Sequence, residues 1–331
     1  MKKITSPMLM LIAITTSSVL HRIQAQQPRI AKYDSNYIID YPQKFGVNIF
    51  ASQKYASFNM PSTGSGPDIE YHANRKYNLG LGGTYKNVLL NLSLGAGYLT
   101  DDNKGKTTGL DFHIHFVPYK WQIDLLTSFH KGNYLSPKGY LSVKPQEYHY
   151  RPDVKLDLIG GAAYRVANPR KYSPGAALNQ TYLQTKSAGS FLYGGEAYYG
   201  SLKGDSSLVP PNAFVGGNKK STNKISFLNV GPGIGYAYTL VLQKNYFISG
   251  SVIGNADLNI VTEDEAQGNN SKTNIGFSGV YKGAIGYNSG TWSVAGTVSG
   301  ILLSSKAVYS SKNYLYNTGI FRISIGRKFN M

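Results

Sequence analysis

From residue 246 to 260 every second position is apolar or glycine: Tyr246, Ile248, Gly250, Val252, Gly254, Ala256, Leu258 and Ile260. The positions between are mostly polar, among them Ser249, Ser251, Asn255, Asp257 and Asn259. A period of two puts the two sets on opposite faces of a strand. The run exceeds the roughly 9–11 residues that a tilted strand needs to cross a bilayer with lipid on one face and a polar lumen on the other. The same alternation marks 45–51, 79–85, 90–98, 110–116, 121–129, 156–166, 189–200, 234–242, 275–287, 292–302 and 321–325. Tyr and Trp near the ends of these segments fit interfacial girdles. The pattern predicts an all-β fold, an antiparallel transmembrane β-barrel of about 12–14 strands, even by the parity of bacterial barrels.

Connections refine this reading. Gln243-Lys244-Asn245 and Asn288-Ser289-Gly290 read as tight periplasmic turns, and 201–224, 262–273 and 304–314 as longer polar loops outside. Short and long connections alternate from the C-terminus back to about residue 190. Upstream the scheme fails, because the long connection 131–150 falls on the wrong side. One strand is therefore miscounted, within 52–75 or around Pro174 in 170–184.

Residues 1–25 read as a secretory leader: Lys2 and Lys3, a short apolar stretch at 8–14, and Ile23-Gln24-Ala25 as the cleavage site. The apolar stretch is too short for a membrane anchor. Residues 26–43, with Pro28 and Pro42, read as a periplasmic segment, and 44–331 as the barrel. No later apolar run is long enough for a spanning helix. The expected location is the cell outer membrane.

Charge and composition then narrow the partners. The chain carries a formal charge of +17. In a soluble protein this would suggest nucleic acid, but an exported barrel does not meet it. Outer-membrane lipid, lipopolysaccharide phosphates at the rim, or an anionic solute in the lumen are the partners expected instead. The absence of cysteine removes disulfides, thiol catalysis and thiolate metal sites. The 37 glycines, many inside strands, suit a strongly coiled barrel wall. Phe329, two residues from the end, is a displaced form of the terminal aromatic that barrel-insertion machinery recognises.

Two stretches carry a family resemblance. One runs from Lys104-Gly105-Lys106-Thr107 through Leu110-Asp111, Lys120-Trp121 and Asp124 to Lys131-Gly132-Asn133-Tyr134-Leu135. The other comprises Arg151-Pro152-Asp153 and Lys186-Ser187-Ala188-Gly189-Ser190-Phe191-Leu192. Together they resemble the domain-of-unknown-function 4421 family of Bacteroidota, over residues 37–331. The resemblance implies a cell-envelope barrel and no particular activity.

Candidate chemistry lies mainly on one hairpin. Asp111, His113 and His115 share a strand face opposite Phe112, Ile114 and Phe116, and the next strand adds Asp124 and His130. Alternation turns all five toward the lumen, where they could move a proton or simply supply the polarity a lumen needs. Sequence fixes too few convergent groups for a metal site, and no metal is expected. Ser128, His130 and Asp124 share parity and could form a hydrolytic set, yet no nucleophile elbow is present. Gly231-Pro232-Gly233-Ile234-Gly235 lacks the Lys-Ser/Thr of a phosphate loop, so no cofactor is expected. Lys203, Lys219, Lys220 and Lys224 form a basic loop set, while Glu263-Asp264-Glu265 reads as a solvated acidic loop. The expectation is a non-enzymatic, porin-like barrel for small anionic solutes. The alternatives are a plugged structural or interaction barrel and a lipid-modifying enzyme.

Overall fold

Strands that separate lipid from lumen must satisfy every backbone group in the sheet, which a closed ring does. The computed structural model describes residues 32–330 apart from 42–43, 63–66, 76, 86–87, 96–101, 143, 209–221, 266–267 and 309–311. The leader therefore lies outside the described residues.

The ring has ten antiparallel strands. They are β2 (Lys44–Met60), β3 (Ile69–His72), β7 (Trp121–Ser136), β8 (His149–Val166), β10 (Ala188–Lys203), β11 (Thr222–Leu242), β12 (Tyr246–Glu265), β13 (Gly268–Asn288), β14 (Trp292–Lys306) and β15 (Asn313–Asn330). Closure is by β15 on β2, an unbroken ladder from Leu315↔Asn59 to Asn330↔Lys44. Among the described residues the count is below the expected 12–14 because three further strands of the same sheet lie off the ring. Four-residue β3 bridges β2 to β7 at the end of the barrel away from Lys44. Below it β4 (Tyr77–Tyr85) pairs with β2 and with β5 (Val88–Gly95), while β6 (Thr108–Phe116) pairs with β7. The miscount lay in 170–184, which holds a one-turn helix (Pro174–Leu178) and a three-residue strand (Tyr182–Gln184) but no ring strand; β8 and β10 pair directly, so 131–150 falls on the long-loop side.

Two expected loops are strand instead. β12 and β13 run to Glu265 and from Gly268, so 262–273 is mostly sheet, and β14 and β15 similarly shorten the 304–314 connection. Glu263 is not solvated: it is buried and accepts the Tyr314 hydroxyl at 2.8 Å and the Val308 N–H at 2.9 Å. Asp264 pairs with Lys224 at 3.3 Å.

At the end of the barrel where β2 begins, β1 (Ile38–Asp40) pairs with β9 (Tyr182–Gln184). Beside β9 a one-turn helix, α1 (Pro174–Leu178), starts at a proline, whose fixed φ suits a first turn. Its Ala177 packs on Phe247, Ala284 and Ala295. Pro174 thus marks a helix where the alternation expected a weak strand. No helix among the described residues is long and apolar enough to cross a membrane.

Outward positions form an apolar belt. Val252, Ile275, Phe277, Ile323 and Leu110 are all largely exposed. Its upper limit is a row of paired polar residues at the same parity, Asp157–Ser201–Ser226–Thr262–Ser271. Aromatic residues ring its lower limit: Tyr246 lies 5.1 Å from Tyr287, and the Arg327 guanidinium stands 5.1 Å from both Trp292 and Phe329.

Candidate functional site

The β6–β7 register sets His115 opposite Asp124 and Asp111 opposite Ser128. All five residues expected in the lumen face inward, and they sort into two nodes. At the first, Asp124 Oδ1 lies 2.8 Å from His115 Nδ1 and 3.4 Å from His113 Nε2. Lys282 of β13 reaches across the barrel and donates to Asp124 Oδ2 at 2.6 Å. At the second, Asp111 receives the Arg75 guanidinium, the Ser128 hydroxyl at 2.7 Å and His130 Nε2 at 2.9 Å, with Lys54 Nζ at 3.6 Å. Such pairing and hydrogen bonding offset the cost of holding an ionised carboxylate away from water. A third node is uncharged on its donor side. Glu196 accepts the Tyr164 hydroxyl at 3.1 Å, the Asn255 amide at 2.8 Å and the Ser278 hydroxyl.

The hydrolytic set is not assembled. Asp124 is held by Lys282, and it is Asp111 that meets Ser128 and His130. Ser128 Oγ and Asp111 Oδ1 both approach His130 Nε2, at 3.3 and 2.9 Å. A triad instead uses opposite ring nitrogens for nucleophile and orienting acid. Among the described residues no group of three or more His, Asp or Glu side chains is arranged to hold a metal.

Little space is left along the axis. A cavity of about 40 Å³ between the two aspartate nodes, lined by Lys54, His113, His130, Tyr198 and Lys282, admits a few waters. Beside it Asn255, Asp257 and Asn259 are fully buried. Above, the lumen is apolar. Phe58, Phe227 and Tyr316 cluster with ring centroids 5.9–6.4 Å apart, Phe58 and Phe227 stacked and Tyr316 edge-on or tilted against them. Leu135, Leu156, Leu202, Ile225 and Val261 surround them, all buried. Gly200 makes this possible, since a Cβ there would strike the Phe227 ring. Below, α1 packs against the inward face of β12, β13 and β14.

Just above the belt, the outer face carries a row of lysines. Register pairs Lys131 with Lys155, Lys155 with Lys203 and Lys203 with Lys224. All four have lipid-facing parity, bordered by Asp157 and by Asp264, which engages Lys224. Lys203 and Lys224 thus belong to neighbouring strands, while Lys219 and Lys220 lie outside the described residues. Lys131 and Lys155 were missed in the sequence, although both continue the outward period of two.

The quoted motifs hold this end together. Gly105 and Gly132 have φ of +68° and +86°, where L side chains strain, and Tyr150 donates to Lys106 O at 2.5 Å. Thr107 Oγ1 donates to Gly132 O at 2.6 Å and accepts from Asn74 N–H at 2.8 Å. Arg151 donates two bonds to Asp153, at 2.8 and 2.7 Å, and one to Ser207 O at 3.0 Å. Above the belt, these bonds hold the Asp153 carboxyl down to about 2.

Residues 32–329 match the family described as Domain of unknown function (DUF4421). The chain belongs to this family. The stretches that carry the family resemblance include both aspartates of the charged nodes, Asp111 and Asp124, and the first lysine of the outer row, Lys131. No curated protein matches the chain. Solved outer-membrane barrels align with the chain at low identity and low TM-score. The outer membrane protease OmpT of Escherichia coli is 8% identical with a TM-score of 0.39, over 88% of this chain and 97% of its own. The toluene transporter TodX of P. putida is 6% identical with a TM-score of 0.25, over 88% and 91%. The attachment invasion locus protein Ail of Yersinia pestis is 10% identical with a TM-score of 0.19, over 87% and 100%.

Proposed function

We propose that this DUF4421 protein is a closed, non-conducting barrel of the outer membrane that serves as a structural or interaction element, not as a porin. The packed lumen carries the reading. Inward side chains fill the section at three levels: α1 below, the Asp111 and Asp124 nodes in the middle, and the Phe58–Phe227–Tyr316 cluster above. Small barrels are filled by side chains in this way, whereas porins leave an aqueous channel. Purified protein refolded into a planar bilayer is expected to give no discrete current steps while migrating on gels as a heat-modifiable folded barrel. Steady single-channel steps of defined size would overturn the proposal.

Its outer-face partner in this reading is the phosphate of lipopolysaccharide, met by Lys131, Lys155, Lys203 and Lys224 at the upper edge of the belt. A Lys131→Gln/Lys155→Gln/Lys203→Gln variant is expected to retain about tenfold less lipopolysaccharide through purification, by native mass spectrometry, with folding unchanged. Retention equal to the wild type would remove the lysine row from the interaction.

A further inference from the structure

The periplasmic mouth holds a second basic feature, on the inner side of the wall. A cavity of about 30 Å³ opens there between β2, β15 and the stretch after α1. Lys44, Lys328, Asn179, Thr181, Ser324 and Thr84 are among the groups that line it, and among the described residues no Asp or Glu does. The two ammonium groups share one aromatic ring. Lys44 Nζ lies 4.6 Å and Lys328 Nζ 5.0 Å from the centroid of Tyr41. Their hydrogen-bond acceptors are neutral: Gly290 O for Lys44, at 3.1 Å, and Asn288 Oδ1 for Lys328, at 3.4 Å. Each ammonium has three N–H groups, so each has donors to spare. Beside them the Asn179 side-chain amide is buried, yet its Nδ2 has no hydrogen-bond acceptor.

Two like charges held together, an orphaned buried donor and a lining of hydroxyls form a set of donors in search of an acceptor. An anion with several oxygens satisfies all of them at once. The place adds to the chemistry. Lys44 precedes Phe45, and Lys328 lies between Arg327 and Phe329, outward residues of the lower aromatic girdle. That girdle sits at headgroup level. We propose that this pocket binds an oxyanion of the phosphate class, presented by a phospholipid of the periplasmic leaflet or by free phosphate.

The test uses the whole barrel refolded in phosphate-free detergent. One arm adds phosphatidylethanolamine and phosphatidylglycerol and counts retained lipid by native mass spectrometry. The other adds inorganic phosphate, against chloride at equal ionic strength, and reads the thermal midpoint. Wild type is expected to retain lipid or to gain stability from phosphate. Lys44→Gln/Lys328→Gln should weaken that response about tenfold, Lys44→Arg/Lys328→Arg should keep it, and Lys306→Gln at the far end of β14 should match wild type. Response to lipid alone assigns the headgroup, and response to phosphate alone assigns the soluble ion. An unchanged response in the double glutamine variant, or none in wild type, overturns the proposal. Should that variant not fold, Asn179→Leu reads the same site: a weakened response supports it and an unchanged one sinks it.

Discussion

Replacing Asp124 by alanine is expected to cost the folded barrel about 3–5 kcal/mol, the range for removing one partner of a buried ion pair. Asp124 is the sole carboxylate within ion-pair distance of the buried Lys282 among the described residues. Its loss leaves an ammonium in the lumen whose remaining side-chain hydrogen-bond contact among the described residues is the His115 ring. Removing both charges behaves differently, because Lys282→Met in the same chain takes away the stranded cation. Asp124→Ala/Lys282→Met should therefore recover most of the stability. Urea titrations in lipid vesicles, read by the fraction of heat-modifiable folded protein, measure both. An Asp124→Ala cost below about 1 kcal/mol would mean that water reaches Lys282, against the packed lumen.

The second large effect is at the apolar level. Phe227→Ala removes a ring packed against Phe58, Tyr316 and the face of Gly200. Large-to-small changes at such a position cost about 3–5 kcal/mol, since the neighbours collapse only partly. Phe277→Ala is the matched control: Phe277 lies on the lipid face and is 71% exposed. Its truncation should cost less than half as much in the same titration. Equal costs would show that both faces of the wall meet fluid surroundings, as in a water-filled pore.

Which parts of this arrangement the sequence could disclose follows from the contrast between the two faces. Inside the belt, lipid and lumen differ in polarity, so 246–260 alternates cleanly and its outward set is the observed one. Above it both faces change character together. Thr262, Asp264 and Ser271 are polar at outward positions, while Ile225 and Leu202 are apolar at inward ones. The alternation inverts there, and sheet was taken for loop. β3 is too short, at four residues, to show any period. The site divides along the same line. His115 with Asp124 and Asp111 with Ser128 are neighbours across a hairpin, which parity alone brings together. Lys282 and Arg75 reach the same aspartates from remote strands, and only ring closure supplies them. α1 escaped because Pro174 weakened a strand without announcing a helix.

The apolar inversion has a thermodynamic consequence. The polar row Asp157–Ser201–Ser226–Thr262–Ser271 sets the upper edge of the lipid belt, and Leu202, Ile225, Leu156 and Tyr314 are buried inside the barrel above that level. This end has water around it and is built like the interior of a soluble protein. Burial there is driven mainly by the release of hydration water, a contribution that is entropic near room temperature and fades on cooling. Strand contacts within the bilayer draw on no such solvent. One continuous sheet thus spans two regimes of temperature response, and cooling is expected to weaken its outer end more than its lipid-embedded part.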